Sequence, residues 1–567
     1  MTGPDWPEVS RFVWEARYRD AGASPPESRI EQCWRRVARA VAAAEQDPET
    51  RAREYLGILD GFRFLPAGRI LAGAGTSRHV TLFSCFVMGT IEDSIEGIFD
   101  ALKEGALTMQ RGGGIGYDFS PLRPRGSRAR MTGMTASGPV SFLELWDAMC
   151  STMLCTGARR GAMMGTLAVT HPDILEFIDA KRDPGVLRNF NLSVLVTDAF
   201  LEAVAQDAHW KLVFPAPPAP AAIERTVAAR EVWKRLCASA WACAEPGVLF
   251  IDRINSQNNL GYCETIRATN PCGEEPLPPH GACNLGSINL PAFVRDPFGP
   301  QAALDVEGIA ATAATATRFL DNVIDLSHFP LPQQRREAER ARRIGLGMTG
   351  LADALVMLGV RYDVPQARHF AAQAMRTIRD AAYRSSAALA AERGPCPAFR
   401  ADAYLGRPFI RALPEDIRAA IRRHGIRNSH LTAIAPAGSI SLLAGNVSSG
   451  IEPVFRLEGT RRVLGEDAVA REFAVLDHAL ATWRARHPAT RPLPEAFLTA
   501  DRIAPQAQLE MQAAIQPFVD GAISKTVALP DDFPEAGVAG LFQSAWRLGL
   551  KGCTLHRAGA RRGVITR

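Results

Sequence analysis

Residues 268–290 read ATNPCGEEPLPPHGACNLGSINL. Four prolines, at 271, 276, 278 and 279, exclude a regular helix here, because proline lacks the amide hydrogen and clashes with the preceding turn. The stretch predicts a rigid loop that leads into a strand at Asn284–Leu290. Asn270, Cys272 and Glu274 occupy alternate positions, so an extended backbone would point their side chains the same way. An amide, a thiol and a carboxylate would then lie together at the tip of the loop.

The same stretch is compatible with a surface turn that carries an incidental cysteine, since most buried cysteines are inert. The chain has 11 cysteines at irregular spacing, and its N-terminus lacks the apolar core of a secretory signal. These features argue against a disulfide scaffold and for reduced thiols in the cytoplasm. The closest pair, Cys150 and Cys155, has no matching CxxC or HxxxH partner. We therefore expect no structural zinc site.

The composition is that of a soluble globular protein, with 47% hydrophobic and 22% charged residues among 567. No run of apolar residues is long enough to span a membrane. The net charge of +5 comes from arginines scattered among acidic residues. A nucleic-acid footprint needs basic residues clustered on one face, so we expect no nucleic-acid partner.

Hydrophobic spacing predicts helices over 10–64, a helix over 91–111 and a mostly helical stretch over 300–425. The stretches 431–455 and 521–557 are predicted to be strand–loop–strand. Alternating strands and helices favour either an α/β barrel or a doubly wound sheet. The pattern alone does not choose between these two architectures.

The chain resembles the catalytic subunits of ribonucleotide reductases. The NPCGE string, followed by a second cysteine in GACNLGSINL, is similar to the active-site loop of that family. Other similar segments follow in the family's order: FLPAGRILAGAG, SCFVMGTIEDSIEGIFDALKEGALTMQRGGGIGYDFSPLRPRGS (84–127), ASGPVSFLELWD (136–147), ARRGAMMGTL (158–167), THPDILEFIDAKR (170–182), NFNLSVLVTDAF (189–200), GLGMTGLADAL (345–355), APAGSISLLAGNVSSGIEP (435–453), SKTVALP (524–530) and GLKGCTLHR (549–557).

This resemblance implies a ten-stranded α/β barrel with the Cys272 loop projecting into its centre. It divides the chain into a helical N-terminal segment at 1–64, a catalytic barrel at 65–560 and a short tail at 561–567 without a cysteine pair. The implied activity is reduction of ribonucleotides to 2′-deoxyribonucleotides, which supplies precursors of DNA.

The resemblance also implies the role of each catalytic residue. Cys272 carries a thiyl radical that abstracts the 3′-hydrogen of ribose, so that the neighbouring 2′-oxygen can depart as water. Glu274 takes and returns the 3′-hydroxyl proton, and Asn270 holds a sugar hydroxyl or orients Glu274. The radical must be shielded from solvent, so we expect Cys272 to be enclosed. Cys85 and Cys283 match the two reducing cysteines, whose Cα atoms must come within about 7 Å.

The phosphates of the substrate are assigned by the resemblance to a loop before a helix, whose amides face the anion. That loop comprises Pro436, Ala437, Gly438, Ser439 and Ile440. The family usually has threonine where this chain has Ala437, so one hydroxyl contact is missing, and Ser439 or Ser441 would compensate. Ser84 and Gly114 match two further substrate contacts. The sequence does not choose between ribonucleoside diphosphates and triphosphates.

The family has three radical sources, and the sequence discriminates among them. The oxygen-dependent type needs an adjacent tyrosine pair near its C-terminus, and none of the 7 tyrosines here are adjacent. The anaerobic type lacks the active-site glutamate and carries a C-terminal glycine motif that HRAGARRGVITR does not match. The remaining type uses adenosylcobalamin, which we expect as the cofactor, with no metal site made by protein ligands.

The resemblance further implies a homodimer, a deoxynucleotide effector at its interface and a thioredoxin-like reductant. The matching effector positions are Asp93, Ser94, Arg123, Lys181 and Arg182. A capped helix and two solvated loops would explain these residues equally well. Two other functions remain open at this point. One is a non-catalytic nucleotide-binding paralogue, and the other is an oxygen-dependent reductase that needs a separate radical subunit.

Overall fold

The computed structural model describes residues 6–557 except 129–132, 134, 154–160, 184, 216–222, 466 and 468. The tail expected at 561–567 and Cys155 lie outside these ranges. Across the described part of the chain, no helix is both long enough and apolar enough to cross a membrane.

Helices run through the whole described chain. They are α1 (Glu8–Arg17), α2 (Ile30–Ala42), α3 (Pro48–Leu59), α4 (Gly68–Gly73), α5 (Ile95–Gln110), α6 (Pro139–Thr152), α7 (Ile174–Asp179), α8 (Asp198–Ala205), α9 (Ala229–Cys243), α10 (Ile251–Ser256), α11 (Val306–Leu326), α12 (Pro332–Ala341), α13 (Leu351–Met357), α14 (Pro365–Arg393), α15 (Ala401–Leu405), α16 (Pro408–Arg411), α17 (Glu415–His424), α18 (Gly438–Leu443), α19 (His478–Arg484), α20 (Pro505–Ile515) and α21 (Glu535–Arg547).

The strands are mostly short. They are β1 (Phe64–Pro66), β2 (Cys85–Val87), β3 (Gly114–Asp118), β4 (Met163–Ala168), β5 (Phe190–Val196), β6 (His209–Phe214), β7 (Ile223–Ala228), β8 (Gly247–Phe250), β9 (Ala268–Thr269), β10 (Pro276–Leu277), β11 (Ala282–Asn289), β12 (Val294–Arg295), β13 (Ala303–Leu304), β14 (Ile344–Thr349), β15 (Glu458–Leu464), β16 (Ala470–Leu476), β17 (Thr526–Leu529) and β18 (Gly552–Arg557).

The N-terminal helices form as their sequence predicts. In α2, the apolar residues recur every three or four positions, and Cys33, Trp34 and Val37 on that face are buried. Helix α3 begins where the Asp47 side chain accepts a hydrogen bond from the amide of Thr50. The predicted helical segment at the N-terminus is therefore confirmed.

One sheet of ten strands organises the rest of the described chain. Its order is β1-β11-β2-β3-β4-β5-β8-β18-β17, and β14 also pairs with β11. Strands β2, β3, β4, β5 and β8 run parallel to one another. Strand β11 is antiparallel to β2 and parallel to β14, and β18 is antiparallel to β8 and parallel to β17. The sheet thus contains three parallel groups that meet at two antiparallel junctions, and β1 adds a third antiparallel pairing on β11.

A short extended segment, 430–434, joins the two ends of this sheet. On one side the Leu346 amide of β14 donates a 2.8 Å hydrogen bond to the carbonyl of Leu431. On the other side the Ser524 amide, just before β17, donates a 2.9 Å bond to the carbonyl of Ile434. Backbone hydrogen bonds therefore run all the way round, and the predicted α/β barrel is confirmed over a doubly wound sheet.

Two local expectations were wrong. Within 431–455 the structure has an extended segment followed by α18, not two strands, because the first part bonds to β14 and the Gly438 turn starts a helix. Within 521–557 a helix, α21, separates β17 from β18. The apolar residues Val538, Leu541 and Phe542 at helical spacing are the buried face of α21. The predicted helix over 91–111 forms as α5, capped by Ser94.

Candidate active site

The NPCGE loop is a tight hairpin between β9 and β10. Its two sides are held by the amide of Asn270, which donates to the carbonyl of Glu275 at 3.1 Å. The amide of Glu275 donates in return to the Asn270 side-chain oxygen at 3.0 Å. Gly273 adopts a φ of 80°, which glycine tolerates without strain. These constraints fix Cys272 at the tip of a short, rigid loop.

The loop is held from both halves of the barrel. On one side the Asn191 side chain of β5 donates a 2.7 Å hydrogen bond to the carbonyl of Pro271. On the opposite side the Ala522 amide donates a 2.8 Å bond to the carbonyl of Glu274. Gly116 of β3 permits this approach, since a Cβ there would lie 1.8 Å from the carbonyl oxygen of Thr269. The loop therefore crosses the interior of the barrel, as the resemblance implied.

Two strand cysteines lie directly beneath the loop. Cys283 on β11 is the register partner of Cys85 on β2. Neighbours across antiparallel strands have Cα atoms about 4.5–5.5 Å apart, which is within the range that a disulfide spans. The side-chain amide of Asn270 donates to the Cys85 sulfur at 3.0 Å, and the Cys85 thiol donates to the Glu274 carboxyl at 3.9 Å. The amide, the carboxyl and both strand thiols are thus gathered in one place.

Cys272 differs from the sequence-based expectation in one respect. It is exposed, whereas Asn270, Glu274, Cys85 and Cys283 are buried. The expectation that the protein alone encloses this thiol was therefore wrong. The reason is geometric, because a thiol at the outermost point of a hairpin faces the open space of the barrel rather than its packed wall. Enclosure of Cys272 requires a second molecule in that space.

Burial controls the ionisation of the groups around the loop. It raises the pKa of Glu274 to about 7, although hydrogen bonds from Asn270 and Cys85 act in the opposite direction. It also raises the pKa of Cys85 and of Cys283 well above the ordinary thiol range, and nearby carboxyl groups add to both shifts. At neutral pH the two strand cysteines are protonated thiols, while Glu274 can gain or lose a proton at little cost.

The predicted phosphate loop forms the start of α18. Ala437 adopts a φ of 52° immediately before the helix, and Gly438 faces open space. The hydroxyl of Tyr18, from the N-terminal segment, donates a 2.8 Å hydrogen bond to the Ser439 hydroxyl. Ser441 is buried and shares a 3.1 Å hydrogen bond with Thr349, so it is turned away from the loop. Of the two serines expected to compensate for Ala437, only Ser439 is placed to do so.

Ser84 and Gly114 lie beside the NPCGE hairpin. The Gly114 amide donates a 2.9 Å hydrogen bond to the carbonyl of Ser84. A Cβ on Gly114 would lie 3.1 Å from the Pro271 ring, so a side chain there would crowd the hairpin. Both predicted substrate contacts are therefore close to the Cys272 tip.

The predicted effector residues fall into two groups. Arg123 binds Asp93 through an ion pair of 2.8 Å, and Ser94 caps α5 beside them. Lys181 is buried in an ion pair of 2.7 Å with Glu245 and also donates to the carbonyl of Phe190. Arg182 pairs with Asp179 at 2.9 Å. The amine of Lys181 is thus engaged within the fold, whereas the Asp93–Arg123 pair is partly exposed.

Two residues of the site were missed from the sequence. Tyr18 lies 421 positions from Ser439, and no local pattern connects them. Glu275 follows Glu274 directly in the sequence, and it is buried beside Cys283. Its position between Glu274 and Pro276, in a stretch with few other charges, was the one available signal. Over the described residues, no group of three or more metal-binding side chains was found.

Comparison with known proteins identifies the family. Residues 83–556 match the family model described as ribonucleotide reductase, barrel domain, and residues 8–79 match ribonucleotide reductase, all-alpha domain. The chain therefore belongs to the ribonucleotide reductase family.

Among its relatives is the vitamin B12-dependent ribonucleoside-diphosphate reductase of Mycobacterium tuberculosis (strain CDC 1551 / Oshkosh). It is 41% identical over 552 residues, which cover 94% of this chain and 76% of the relative. The protein of the same name from Thermoplasma acidophilum is 37% identical over 535 residues, covering 90% of this chain and 66% of the relative.

Proposed function

We propose that this chain reduces ribonucleotides to 2′-deoxyribonucleotides by thiyl radical chemistry, with adenosylcobalamin as the cofactor. The observation that carries the proposal is the gathering of Asn270, Cys272, Glu274, Cys85 and Cys283 around one hairpin inside a barrel. A nucleotide-binding paralogue would have no need of all five. The oxygen-dependent alternative is not favoured, because the relatives named above are B12-dependent.

Cys272 is the residue that acts on the sugar. As a thiyl radical it removes the 3′-hydrogen, and Glu274 accepts the proton of the 3′-hydroxyl. General acid–base catalysis of this kind typically contributes about 10²–10⁴-fold. Glu274 suits this role because its pKa of about 7 lets it hold and release a proton near neutral pH. Asn270 positions Cys272 and Glu274, since its side chain reaches Cys85 and its backbone closes the hairpin.

Cys85 and Cys283 supply the two electrons. Their thiols become one disulfide as the ribonucleotide becomes a deoxyribonucleotide and water, so that hydrogen and electrons balance. Facing positions on β2 and β11 allow this bond without movement of the backbone. A dithiol reductant, which we propose to be thioredoxin-like, then restores the two thiols. We also propose a cytoplasmic location, where these thiols would be kept reduced.

We place the cofactor at the open tip of the hairpin. Cys272 is exposed, and apart from the adjacent residues no described atom lies within 4 Å of the position that a Cβ on Gly273 would take. A bulky group placed there would contact Cys272 and enclose it, which supplies the shielding that the protein alone does not provide. When bound, adenosylcobalamin supplies a carbon-centred radical by homolysis of its cobalt–carbon bond.

The substrate is proposed to be a ribonucleoside diphosphate, as in the names of the relatives. Its phosphates would lie on the loop formed by Pro436, Ala437, Gly438, Ser439 and Ile440. Amides at a helix start bind anions, and Gly438 leaves the approach open. Ser84 and Gly114 would contact the same nucleotide near the hairpin.

We propose a homodimer that carries a deoxynucleotide effector at its interface. Helix α5 exposes Ile95 and Phe99, one turn apart, with 61% and 51% of their surface accessible, and Leu145 of α6 is also exposed. A second copy of the chain would bury these side chains. Asp93, Ser94 and Arg123 lie at the start of α5, beside this surface, where an effector could reach them. Lys181 and Arg182 would act less directly, through the loop that they hold.

The test is an assay with a ribonucleoside diphosphate and dithiothreitol, with and without adenosylcobalamin, and with hydroxocobalamin as the control. We expect deoxyribonucleotide only with adenosylcobalamin. Product without any cobalamin would overturn the cofactor assignment. No product under any of these conditions, from protein that binds the nucleotide, would overturn the reductase function.

A further inference from the structure

Glu275 is a buried carboxyl that the reaction described above does not use. Its backbone closes the hairpin against Asn270, and its side chain is directed to the opposite side, towards β11 and β14. One carboxyl oxygen, Oε1, has no hydrogen-bond partner within the described residues. A buried polar atom without a partner carries a desolvation cost, so the position calls for an explanation.

The pocket around Glu275 is fitted to a carboxyl. A Cβ on Gly345 of β14 would lie only 2.4 Å from Oε1, so any larger residue there would displace the carboxyl. On the β11 side, the carboxyl of Glu275 interacts with the thiol of Cys283, which also donates a 3.4 Å hydrogen bond to the carbonyl of Asn284. Glu275 is therefore positioned against the sulfur of one reducing cysteine, just as Glu274 is positioned against Cys85.

Burial and the nearby charges favour the neutral form of Glu275. Burial is the largest cause, and the carboxyls of Glu274 and Asp520 act in the same direction, so that the pKa of Glu275 rises to about 8. Arg343 opposes this shift. Two further titratable groups, Lys551 and Cys85, also interact with Glu275.

We propose that Glu275 is the group that gives a proton to Cys283 when the active-site disulfide is reduced. This inference rests on the proposed function, because it assumes that Cys85 and Cys283 cycle between dithiol and disulfide.

The proton balance of the reductive step is simple. A thiolate of the external dithiol attacks the Cys85 sulfur, the Cys85–Cys283 bond breaks, and Cys283 leaves with the electron pair. The Glu275 carboxyl then protonates the Cys283 sulfur and becomes a carboxylate. The second thiol of the reductant loses its proton as it attacks the mixed disulfide. That proton passes to the Cys85 sulfur, which becomes a thiol. One proton from solvent returns to Glu275, which is then neutral again.

The need for a proton donor follows from the surroundings of Cys283. Its thiol is completely buried, and burial raises its pKa well above the ordinary range, so a thiolate there is costly. Thiols of high pKa are poor leaving groups in disulfide exchange. A neutral carboxyl beside the sulfur removes that cost by delivering a proton as the bond breaks. In the oxidised enzyme the Cys283 thiol is absent and no longer lowers the pKa of Glu275, so Glu275 is even more firmly neutral.

The experiment follows reduction of the disulfide directly. The holoenzyme is oxidised by one turnover without reductant, then mixed with dithiothreitol from pH 6 to 9, and its thiols are alkylated and counted by mass spectrometry. The rate constant for disulfide reduction is divided by the fraction of dithiothreitol present as thiolate. In the wild type this corrected rate constant should fall as the pH rises through about 8, because Glu275 loses its proton. In Glu275→Gln it should be pH-independent and about 10²-fold lower at pH 7.

The yield of the first turnover separates this role from a structural one. Glu275→Gln should form nearly as much deoxyribonucleotide per chain as the wild type before any reductant is added. Glu274→Gln should form almost none. Equal corrected rate constants for the wild type and Glu275→Gln would overturn the inference. If the variant does not fold, a wild-type rate constant that does not change with pH would also overturn it. A wild-type enzyme that makes no product would instead contradict the proposed function.

Discussion

Tyr18 donates a 2.8 Å hydrogen bond to Ser439 and so ties the N-terminal helices to the proposed phosphate loop. Ser10 of α1 and Trp6, just before that helix, reinforce the same connection by donating hydrogen bonds to the last carbonyls of α18, at Leu442 and Leu443. The N-terminal segment therefore supports the proposed phosphate loop.

Removing the Tyr18 hydroxyl should weaken substrate binding selectively. In Tyr18→Phe, Ser439 loses the bond that orients it, so we expect KM for the ribonucleotide to rise several-fold with kcat nearly unchanged. The matched control is Tyr55→Phe, whose hydroxyl bonds Glu45 in the same helical segment. Both variants should lose about 1 kcal/mol of unfolding free energy, measured by urea denaturation. An equal KM in the two variants would contradict the account.

Replacing Cys272, the proposed radical cysteine, should abolish product formation and leave nucleotide binding intact. In Cys272→Ser no thiyl radical can form, so product should fall below detection, whereas nucleotide affinity, measured by calorimetry, should stay within about twofold. Cys263→Ser removes the other exposed thiol of the described chain and should retain activity. Lost nucleotide binding in Cys272→Ser would mean that Cys272 is structural.

The first turnover should depend on pH through Glu274. Its carboxylate is the form that accepts the 3′-hydroxyl proton, and burial raises its pKa to about 7. Activity is therefore lost as the pH falls through 7, and kcat/KM should rise about tenfold between pH 6 and 8. Single-turnover measurements at low substrate exclude the dithiol step. A flat profile over this interval would remove Glu274 from the proton-transfer role.

The exposed face of α5 should mediate dimer formation. Phe99→Glu introduces a charge that the proposed interface would have to bury, so we expect sedimentation velocity to show the wild type as a dimer and this variant as a monomer at micromolar concentration. The control is Phe455→Glu, which changes a side chain that is 60% exposed but lies outside α5, and this variant should remain dimeric. A monomeric wild type at every concentration would contradict the proposal.

Much of the fold could be predicted from the sequence because its signals are local. The apolar face of α2, the Ser94 cap of α5 and the prolines after Cys272 each act within a few residues. Closure of the barrel could not be predicted in this way, since it depends on 430–434 bonding to β14 and to residues before β17. Only the family resemblance selected the barrel.

The site shows the same division. Alternation of Asn270, Cys272 and Glu274 predicted a shared loop, but the bond from Asn270 to Cys85 joins residues 185 positions apart. Exposure of Cys272 was not predictable, because it reflects the space left inside the barrel rather than any property of NPCGE. Burial of Glu275 likewise depends on Gly345, which lies on a different strand.

The most direct measurement is a single turnover by pre-reduced enzyme with adenosylcobalamin, a ribonucleoside diphosphate and no added reductant. The account predicts about one deoxyribonucleotide per chain, with one new disulfide that peptide mass spectrometry locates between Cys85 and Cys283. Product formed without that disulfide, or a disulfide between other cysteines, would contradict the central claim that these two facing thiols supply the electrons.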